Sequence, residues 1–443
     1  MLNPPGQPAP RGPGAATGEP SPLLNVPAPP FTGGNSLGLL EGGDALFPRM
    51  QAAIEAARHE VWLATYIFEV DRATEPLIAA LCQAAQRGVR VHVVVDGFGT
   101  LAHLHLLRAV LQPAGVKLEV YRPLNRWYSW LQPGQLRRLH QKLCVCDQDV
   151  AFVGGINLID DRHDLNHGWT DAPRLDFAVE LRGPLVSSVH DAVRAVWSRA
   201  QLGRNWGDEL AKELRDLAKG PAPVGRRLDH ALQRLRRLRT VRSNPQGTDE
   251  LQPVRAAFIV RDNLRQRRAI ERSYIQAIRA ARTRIDLAVP YFYPGRSFSR
   301  SLHRAARRGV QVRLLLQGKL DYRIAGLAAR VLYDDLRAAG VRIYEYTPAF
   351  LHAKVAVVDD LWATVGSSNI DPLSLLLNLE ANVVARDAGF AGALAERMDA
   401  ACAQSVEVIG SPVPRGWRGW LRRAGVAWVA NLYLRVAGIT RRY

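Results

Sequence analysis

Disulfide chemistry, membrane spans and a secretory leader are what this sequence has little or nothing of. Its 443 residues include four cysteines, Cys82, Cys144, Cys146 and Cys402, too few and too scattered for a disulfide framework. Cys144 and Cys146 stand two apart in an apolar run, so both face the same side of a strand. No second Cys/His pair at zinc spacing accompanies them, and they read as core residues. This use of cysteine fits a reducing compartment. No uncharged apolar run reaches the roughly 18 residues that a spanning helix needs. The opening residues lack a basic stretch followed by an apolar one, which argues against a secretory signal. The Pro- and Gly-rich start, MLNPPGQPAPRGPGAATGEPSPLLNVPAPP, predicts a disordered tail over 1–43. Clusters of carboxylates or of Cys and His that call for a metal are missing too, so neither metal nor other cofactor is expected.

Acidic side chains are also in short supply. Asp plus Glu number 41 against 59 Lys plus Arg, a formal net charge of +18. Such a surface draws phosphate, on nucleic acid or on an anionic bilayer, although an Arg-rich chain can also carry this charge simply for solubility. Hydrophobic residues make up 47%, enough for a large core, and the length allows two or three domains.

The chain repeats itself. The same order of elements runs through 44–201 and again through 256–404. An Ala-rich helix (47–58; 268–282) precedes a strand ending in aromatics, VWLATYIFEV (61–70) and IDLAVPYFYP (285–294). A helix then closes on AAQRGV (84–89) or AARRGV (305–310) and leads into RVHVVVDG (90–97) or QVRLLLQG (311–318). Another helix ends at Gly115 or Gly340 before KLEVYRP (117–123) or RIYEYTP (342–348). The Gly of each RGV turn suits a left-handed helix C-cap. Helices alternating with near-continuous apolar strands predict an α/β sheet covered on both faces. Two such units predict two similar lobes related by a pseudo-two-fold axis. Between them, 202–255 is strongly basic. Leu228, Leu232, Leu235 and Leu238 recur at helical steps, which predicts an amphipathic helix that either packs on a lobe or meets anionic head groups. The last stretch, 405–443, mixes Trp417, Trp420, Trp428 and Tyr433 with seven arginines. It predicts a helix lying on a membrane surface, or one docked on a lobe. RWYSWL (126–131) is a second aromatic patch, placed to form the mouth of a cleft.

Chemistry concentrates in LHQKLCVCDQDVAFVGGIN and LHAKVAVVDDLWATVGSSN. Both obey H-x-K-x4-D-x6-G-[GS]-x-N, with His140, Lys142, Asp147 and Asn157 in the first and His352, Lys354, Asp359, Ser368 and Asn369 in the second. Taken singly, a buried His, a strand-end Lys or a GGIN turn is more often structural. Taken together, twice, at equivalent places of a repeat, they point to a site. A His and a Lys two apart on a strand project to one side and make half a cradle for phosphate. Two half-cradles facing each other enclose one phosphodiester. One histidine can then attack phosphorus while the other protonates the leaving alcohol. The lysines, with the Asn and Ser groups, stabilise the transition-state charge. Asp147 and Asp359, seven positions on, either join the catalytic set or brace the turn after the strand. A nucleophilic histidine needs an acceptor on its other nitrogen. Asp176 and Glu380, each heading an apolar stretch where a lone carboxylate is costly, are the candidates.

At these residues the sequence resembles the phospholipase D superfamily, over nearly all of 44–404. Within it, DDLWATVGSSNIDPLSLLLNLEANVV (359–384), AVPYFYPGRSFSRSLHRAARRGV (288–310) and ATYIFEVD…AAQRGV…VDGFG are most similar to bacterial cardiolipin synthases, the B type in particular. The resemblance implies two phospholipase D-type α/β/α sandwich lobes with one active site at their interface. It implies His140 as nucleophile, His352 as acid and base, and Lys142, Lys354, Asn157 and Asn369 on the phosphate. It implies carboxylates supplied across the interface, Glu380 to His140 and Asp176 to His352. The reaction implied is phosphatidyl transfer between two phosphatidylglycerols, giving cardiolipin and glycerol without a metal. The place implied is the cytoplasmic face of a bacterial cell membrane, with the enzyme held peripherally on an anionic surface. No stable nucleic-acid partner is expected, and no oligomeric state is read from the sequence. A phospholipase that gives the phosphatidyl group to water, a nuclease of the same superfamily, and an inactive lipid-binding scaffold are the alternatives. Two complete motifs argue against the scaffold; the aromatic, basic end of the chain argues against the nuclease. The Pro-rich start and the Arg-rich linker depart from the family pattern, as does the lack of the two N-terminal spans that some cardiolipin synthases carry.

Overall fold

The repeat becomes two sheets joined edge to edge. A computed structural model describes residues 30–123, 137–165, 167–217, 254–261, 268–319, 333–371 and 378–409. The first lobe runs β1 (Thr32–Glu41), α1 (Gly42–Ala56), β2 (Glu60–Thr65), α2 (Glu75–Gln86), β3 (Arg90–Asp96), α3 (Leu104–Leu111) and β4 (Lys117–Tyr121). It continues with β5 (Lys142–Cys146), β6 (Val150–Gly154), a small hairpin of β7 (His163–Asp164) and β8 (Gly168–Trp169), β9 (Phe177–Arg182) and α4 (Val186–Leu217). The second lobe runs β10 (Val254–Arg261), α5 (Ala269–Ala280), β11 (Arg284–Ala288), α6 (Arg296–Arg307), β12 (Gln311–Gln317) and β13 (Arg342–Tyr346). Then come β14 (Val355–Val358), β15 (Trp362–Gly366), β16 (Glu380–Arg386), α7 (Ala388–Ala403) and β17 (Val406–Glu407).

Strand order exposes the pseudo-symmetry. From one outer edge it reads β4-β3-β2-β5-β6-β9-β1, and from the other β17-β13-β12-β11-β14-β15-β16-β10, with β1 and β10 paired in the middle. In each lobe three strands are parallel, β2-β3-β4 and β11-β12-β13, and the rest antiparallel. The parallel strands are buried on both faces, as their continuous Val and Leu runs require. Helices α1, α2 and α3 cover one face of the first sheet, and α4 packs against the other. Helices α5 and α6 and helix α7 do the same for the second. Gly88 and Gly309, in the two RGV turns, have φ of +91° and +88°, the left-handed C-cap that the sequence predicts.

The lobes share apolar cores rather than merely touching. Leu175, Phe177 and Val179 of the first lobe pack with Leu351, Ala353 and Val365 of the second. Leu379, Ala381 and Val383 pack with Leu139, Val145 and Val153. A packed interior of this kind resists displacement, so groups placed across the interface hold their geometry.

Two expected boundaries are corrected. The 1–43 tail is not disordered to its end: Thr32–Glu41 is a strand at the centre of the combined sheet. It pairs first with β10, shifts register at Asn35, then pairs with β9 from Ser36 to Glu41. Asn35 is buried at the crossing, where its amide donates to Thr32 O and Val254 O and its Oδ1 accepts from Leu185 N. Gly33, Gly34 and Gly38 disguise this strand in the sequence, because glycine is a poor strand former. Its order comes from two neighbouring edges with unpaired backbone groups. The 202–255 linker is also shorter than expected, since α4 extends to Leu217 and β10 begins at Val254. The leucine stripe of the linker, the RWYSWL patch and the 415–443 segment lie outside the described residues.

Candidate active site

Both motifs enter the sheet where the parallel strands end, the edge at which open α/β sheets bind ligands. Lys142 opens β5, and Val355, just after Lys354, opens β14. Each histidine precedes its strand and is tied by backbone to the opposite lobe. His140 N donates to Leu379 O and Leu379 N to Arg138 O, at 3.0 and 2.9 Å. His352 N donates to Leu175 O and Leu175 N to Phe350 O, both at 2.9 Å. Leu379 and Leu175 immediately precede Glu380 and Asp176. The same bridge that positions a histidine therefore delivers a carboxylate to it from the other lobe. His140 Nδ1 lies 3.0 Å from Glu380 Oε2, and His352 Nδ1 lies 2.6 Å from Asp176 Oδ2. With Nδ1 engaged, Nε2 of each ring is the nitrogen left for chemistry.

The lysines are locked as well. Lys142 Nζ donates to His140 O at 2.9 Å, and Lys354 Nζ donates to His352 O and lies 3.9 Å from Asp176. Both are buried. Asn157 and Asn369 follow β6 and β15, and the side-chain Oδ1 of each is buried with no hydrogen-bond partner among the described residues. A buried amide end without a partner is costly, and each amide turned end for end would donate its Nδ2 hydrogens to a phosphate oxygen. Ser368 is buried but bonds Asn369 O at 3.3 Å.

Several residues of the site escaped the sequence reading. Ser367 Oγ donates to Glu380 Oε2 at 2.6 Å and accepts from Ala381 N. Its counterpart is Gly155, where a Cβ would stand 2.3 Å from Asp176 Oδ1. The longer Glu380 leaves room for a serine; the shorter Asp176 does not. The pairing of GGIN with Asp and GSSN with Glu was the available signal. Asp96 and Gln317, the last residues of β3 and β12, do equivalent work: each accepts the backbone N–H just before a histidine, Leu139 at 2.9 Å and Leu351 at 2.7 Å. Gln141 Nε2 adds a bond to Glu380 O at 3.1 Å.

Asp147 and Asp359 are not brought to the site, which corrects their place in the catalytic set. Each lies at the far end of its motif strand, with φ of 51° and 52°, in a turn whose next residue is also left-handed. Such turns favour Asp. The Asp147 carboxylate accepts from Arg58, His59 and Glu60 N, and that of Asp359 from Arg282, Thr283 and Arg284 N. They brace the entry to β2 and β11. Asp147→Ala and Asp359→Ala are therefore expected to cost roughly 1–2 kcal/mol of stability each, read as a lower urea midpoint. The folded protein should keep turnover within about tenfold of the parent. A loss near that of a histidine variant would return these residues to the chemistry.

Electrostatics separate the half-sites. Burial, then repulsion between the two ammonium groups, lowers Lys142 to about 7. Burial, opposed by Asp176 and Glu380, lowers Lys354 to about 8. Burial and then Lys354 and Arg174 hold His352 well below its ordinary value. His140 is lowered by burial too, with Glu380 opposing. Burial raises Asp176 to about 6 against the pull of Lys354. Burial also acts to raise Glu380, but His140, Lys142 and the Ser367 hydroxyl outweigh it and the group stays below its ordinary value. The arrangement concentrates positive charge that an anion would relieve.

Known proteins share this plan. A family model described as cardiolipin synthase, PLD-like domain, matches residues 50–169 and 274–402. Cardiolipin synthase B of Salmonella typhi is 37% identical over 359 residues, 81% of this chain and 78% of its own. Cardiolipin synthase B of Escherichia coli K12 is 36% identical over 391 residues, 87% and 85%. The crystal structure of phosphatidylserine synthase from Haemophilus influenzae superposes with a TM-score of 0.62 at 13% identity, over 93% of this chain and 96% of that one. That last likeness concerns the fold alone.

Proposed function

The chain belongs to the cardiolipin synthase family of the phospholipase D superfamily, and on that footing we propose that its paired half-sites join two phosphatidylglycerols into cardiolipin, releasing glycerol. It is a phosphatidyltransferase. The observation that carries the mechanistic reading is the crossed pairing of His140 with Glu380 and His352 with Asp176 over two buried lysines.

In the first step His140 Nε2 attacks the phosphorus of one phosphatidylglycerol. The bond from phosphorus to the glycerol oxygen breaks, and the departing oxygen takes a proton from His352. Glycerol leaves and the phosphatidyl group stays on His140. In the second step His352 removes the proton from a glycerol hydroxyl of another phosphatidylglycerol. That oxygen attacks phosphorus, the phosphorus–nitrogen bond breaks, and cardiolipin departs. Glu380 and Asp176 hold the rings and stabilise their positive forms. Lys142 and Lys354 neutralise the equatorial oxygens, helped by Asn157 and Asn369, and by Ser368 once its hydroxyl turns from Asn369 O. The substrate contributes to its own turnover: an anion between the lysines raises their proton affinity and that of His352, loading the acid the first step needs.

Water in place of the second lipid would make the enzyme a hydrolase, and the buried cradle does not itself choose between acceptors. We place the enzyme peripherally on the cytoplasmic face of a bacterial cell membrane, on anionic lipid. Among the described residues no helix is long and apolar enough to cross a membrane. Purified protein incubated with labelled phosphatidylglycerol liposomes, with and without chelator, is expected to yield labelled cardiolipin in both samples. Phosphatidic acid alone would replace the transferase by a hydrolase. Cleavage of DNA with no lipid product would move the function to nucleic acid. Loss of activity with chelator would overturn the metal-free mechanism.

A further inference from the structure

Exposed apolar side chains lie beside both of the segments that lead into the two histidines. Phe98 and Leu101 follow β3, directly after Asp96, and are more than half exposed. The guanidinium of Arg138, two residues before His140, lies 5.4 Å from the Phe98 ring. On the other side the β7–β8 hairpin presents Leu165 and Trp169, also more than half exposed. Its His167 ring lies 5.2 Å from Phe350, two residues before His352. The two apolar groups thus flank the two segments that bring the histidines in.

The hairpin breaks the symmetry of the fold. The connection 155–176 that contains it is longer than its equivalent 367–379. It is anchored from below: His163 Nδ1 lies 3.3 Å from the buried Glu69, Arg174 donates to His163 O at 2.8 Å, and the Trp169 ring stacks on His163 at 5.2 Å. Such bracing holds a tryptophan outward at a fixed height. A cation stands at the same rim, the exposed Lys319 lying 5.8 Å from the Phe350 ring, while Arg138 beside Phe98 is largely buried and held 3.8 Å from Asp96. Bulky apolar groups held in water beside a cation, in a chain of net charge +18, match the chemistry of an anionic bilayer surface, where rings and aliphatic tips enter the head-group layer and cations meet lipid phosphates.

We propose that Phe98, Leu101, Leu165 and Trp169 form the surface on which this protein docks on an anionic bilayer, with the active-site entrance facing the lipid. This rests on the lipid reading above and adds the orientation that reading lacks. A phosphodiester drawn a short way out of the leaflet then meets the lysines without the acyl chains crossing water.

The test measures co-sedimentation of the full chain with vesicles of phosphatidylcholine and phosphatidylglycerol. Phe98→Asp and Trp169→Asp, one on each side of the entrance, are expected to weaken binding by at least about tenfold each, from lost apolar burial and added charge. Leu361→Asp changes an equally exposed leucine in the turn at the far end of β14 and β15, and should bind as the parent does. All three should keep the parent's thermal midpoint. Parent-like binding by both rim variants, or an equal loss in Leu361→Asp, overturns the proposal. Binding is read without product, so a parent that binds but makes no cardiolipin would sink the proposed reaction and leave the docking result intact.

Discussion

Changing His140 to alanine is expected to leave no labelled protein adduct when the enzyme meets phosphatidylglycerol carrying a labelled phosphate, and to lower turnover by about four orders of magnitude or more. Changing His352 to alanine should lower turnover comparably but by a different route. Its nucleophile remains, so a slowly formed adduct is expected to accumulate, because both departure of glycerol and activation of the second lipid lack a proton carrier. The contrast matters because the half-sites are built alike: each ring receives a carboxylate on Nδ1 and lies two residues from a buried lysine. What distinguishes them is their surroundings. Glu380 beside His140 is held below its ordinary value with help from Ser367, whereas Asp176 beside His352 is pushed up to about 6. The ring with the more firmly ionised partner is the better stabilised as it becomes cationic on attack. An adduct retained in His140→Ala and lost in His352→Ala would exchange the two roles. Acid-labile label recovered from histidine in the parent would mark the intermediate itself.

Much of this site is legible in the chain because its parts obey local periods. The His and Lys of each motif are two apart and so share a side of the strand entry, and the RGV turns announce the helix ends that precede β3 and β12. The two-lobed plan follows from the repeat alone. What local periods do not carry is contact across the interface. Composition and spacing leave Asp176 and Glu380 as unassigned acceptors, and only the family resemblance crosses them over. The bridges Leu139–Leu379 and Leu175–Leu351 are the physical cause of that crossing, and they join residues far apart in the chain. Strand β1 was lost for a related reason: its glycines speak against a strand, and its order comes from neighbours distant in sequence. Asp147 and Asp359 are the opposite case: their fixed spacing from the histidine allows either chemistry or a brace for the turn, and seven residues along a strand, roughly 20 Å, put them at the opposite end of the lobe, where they brace it.

Replacing Glu380 by glutamine tests the crossed pairing more sharply than removing a histidine. The amide keeps the size of the side chain but offers no negative charge to the His140 imidazolium, and one of its two orientations presents a donor to Nδ1, favouring the wrong tautomer. A loss of about 10²–10⁴ in kcat is expected by comparison with buried carboxylate–histidine pairs of this kind, with the thermal midpoint little changed. The pH profile separates this from a merely structural role. Glu380 has its folded pKa below the ordinary value, so its contribution is present at neutral pH and is lost as pH falls through that lowered value. Asp176 takes its proton earlier, near 6, so the acid limb of the parent's profile is expected to reflect the Asp176–His352 pair. Asp176→Asn should remove that limb and slow release of glycerol, leaving turnover low and nearly level between about pH 5 and 7. Glu380→Gln should retain the limb while forming the adduct slowly. Were both variants to lose activity with parent-shaped profiles, the carboxylates would be holding the lobes together rather than tuning the histidines. The backbone bonds His140 N to Leu379 O and His352 N to Leu175 O would then carry the coupling between the halves.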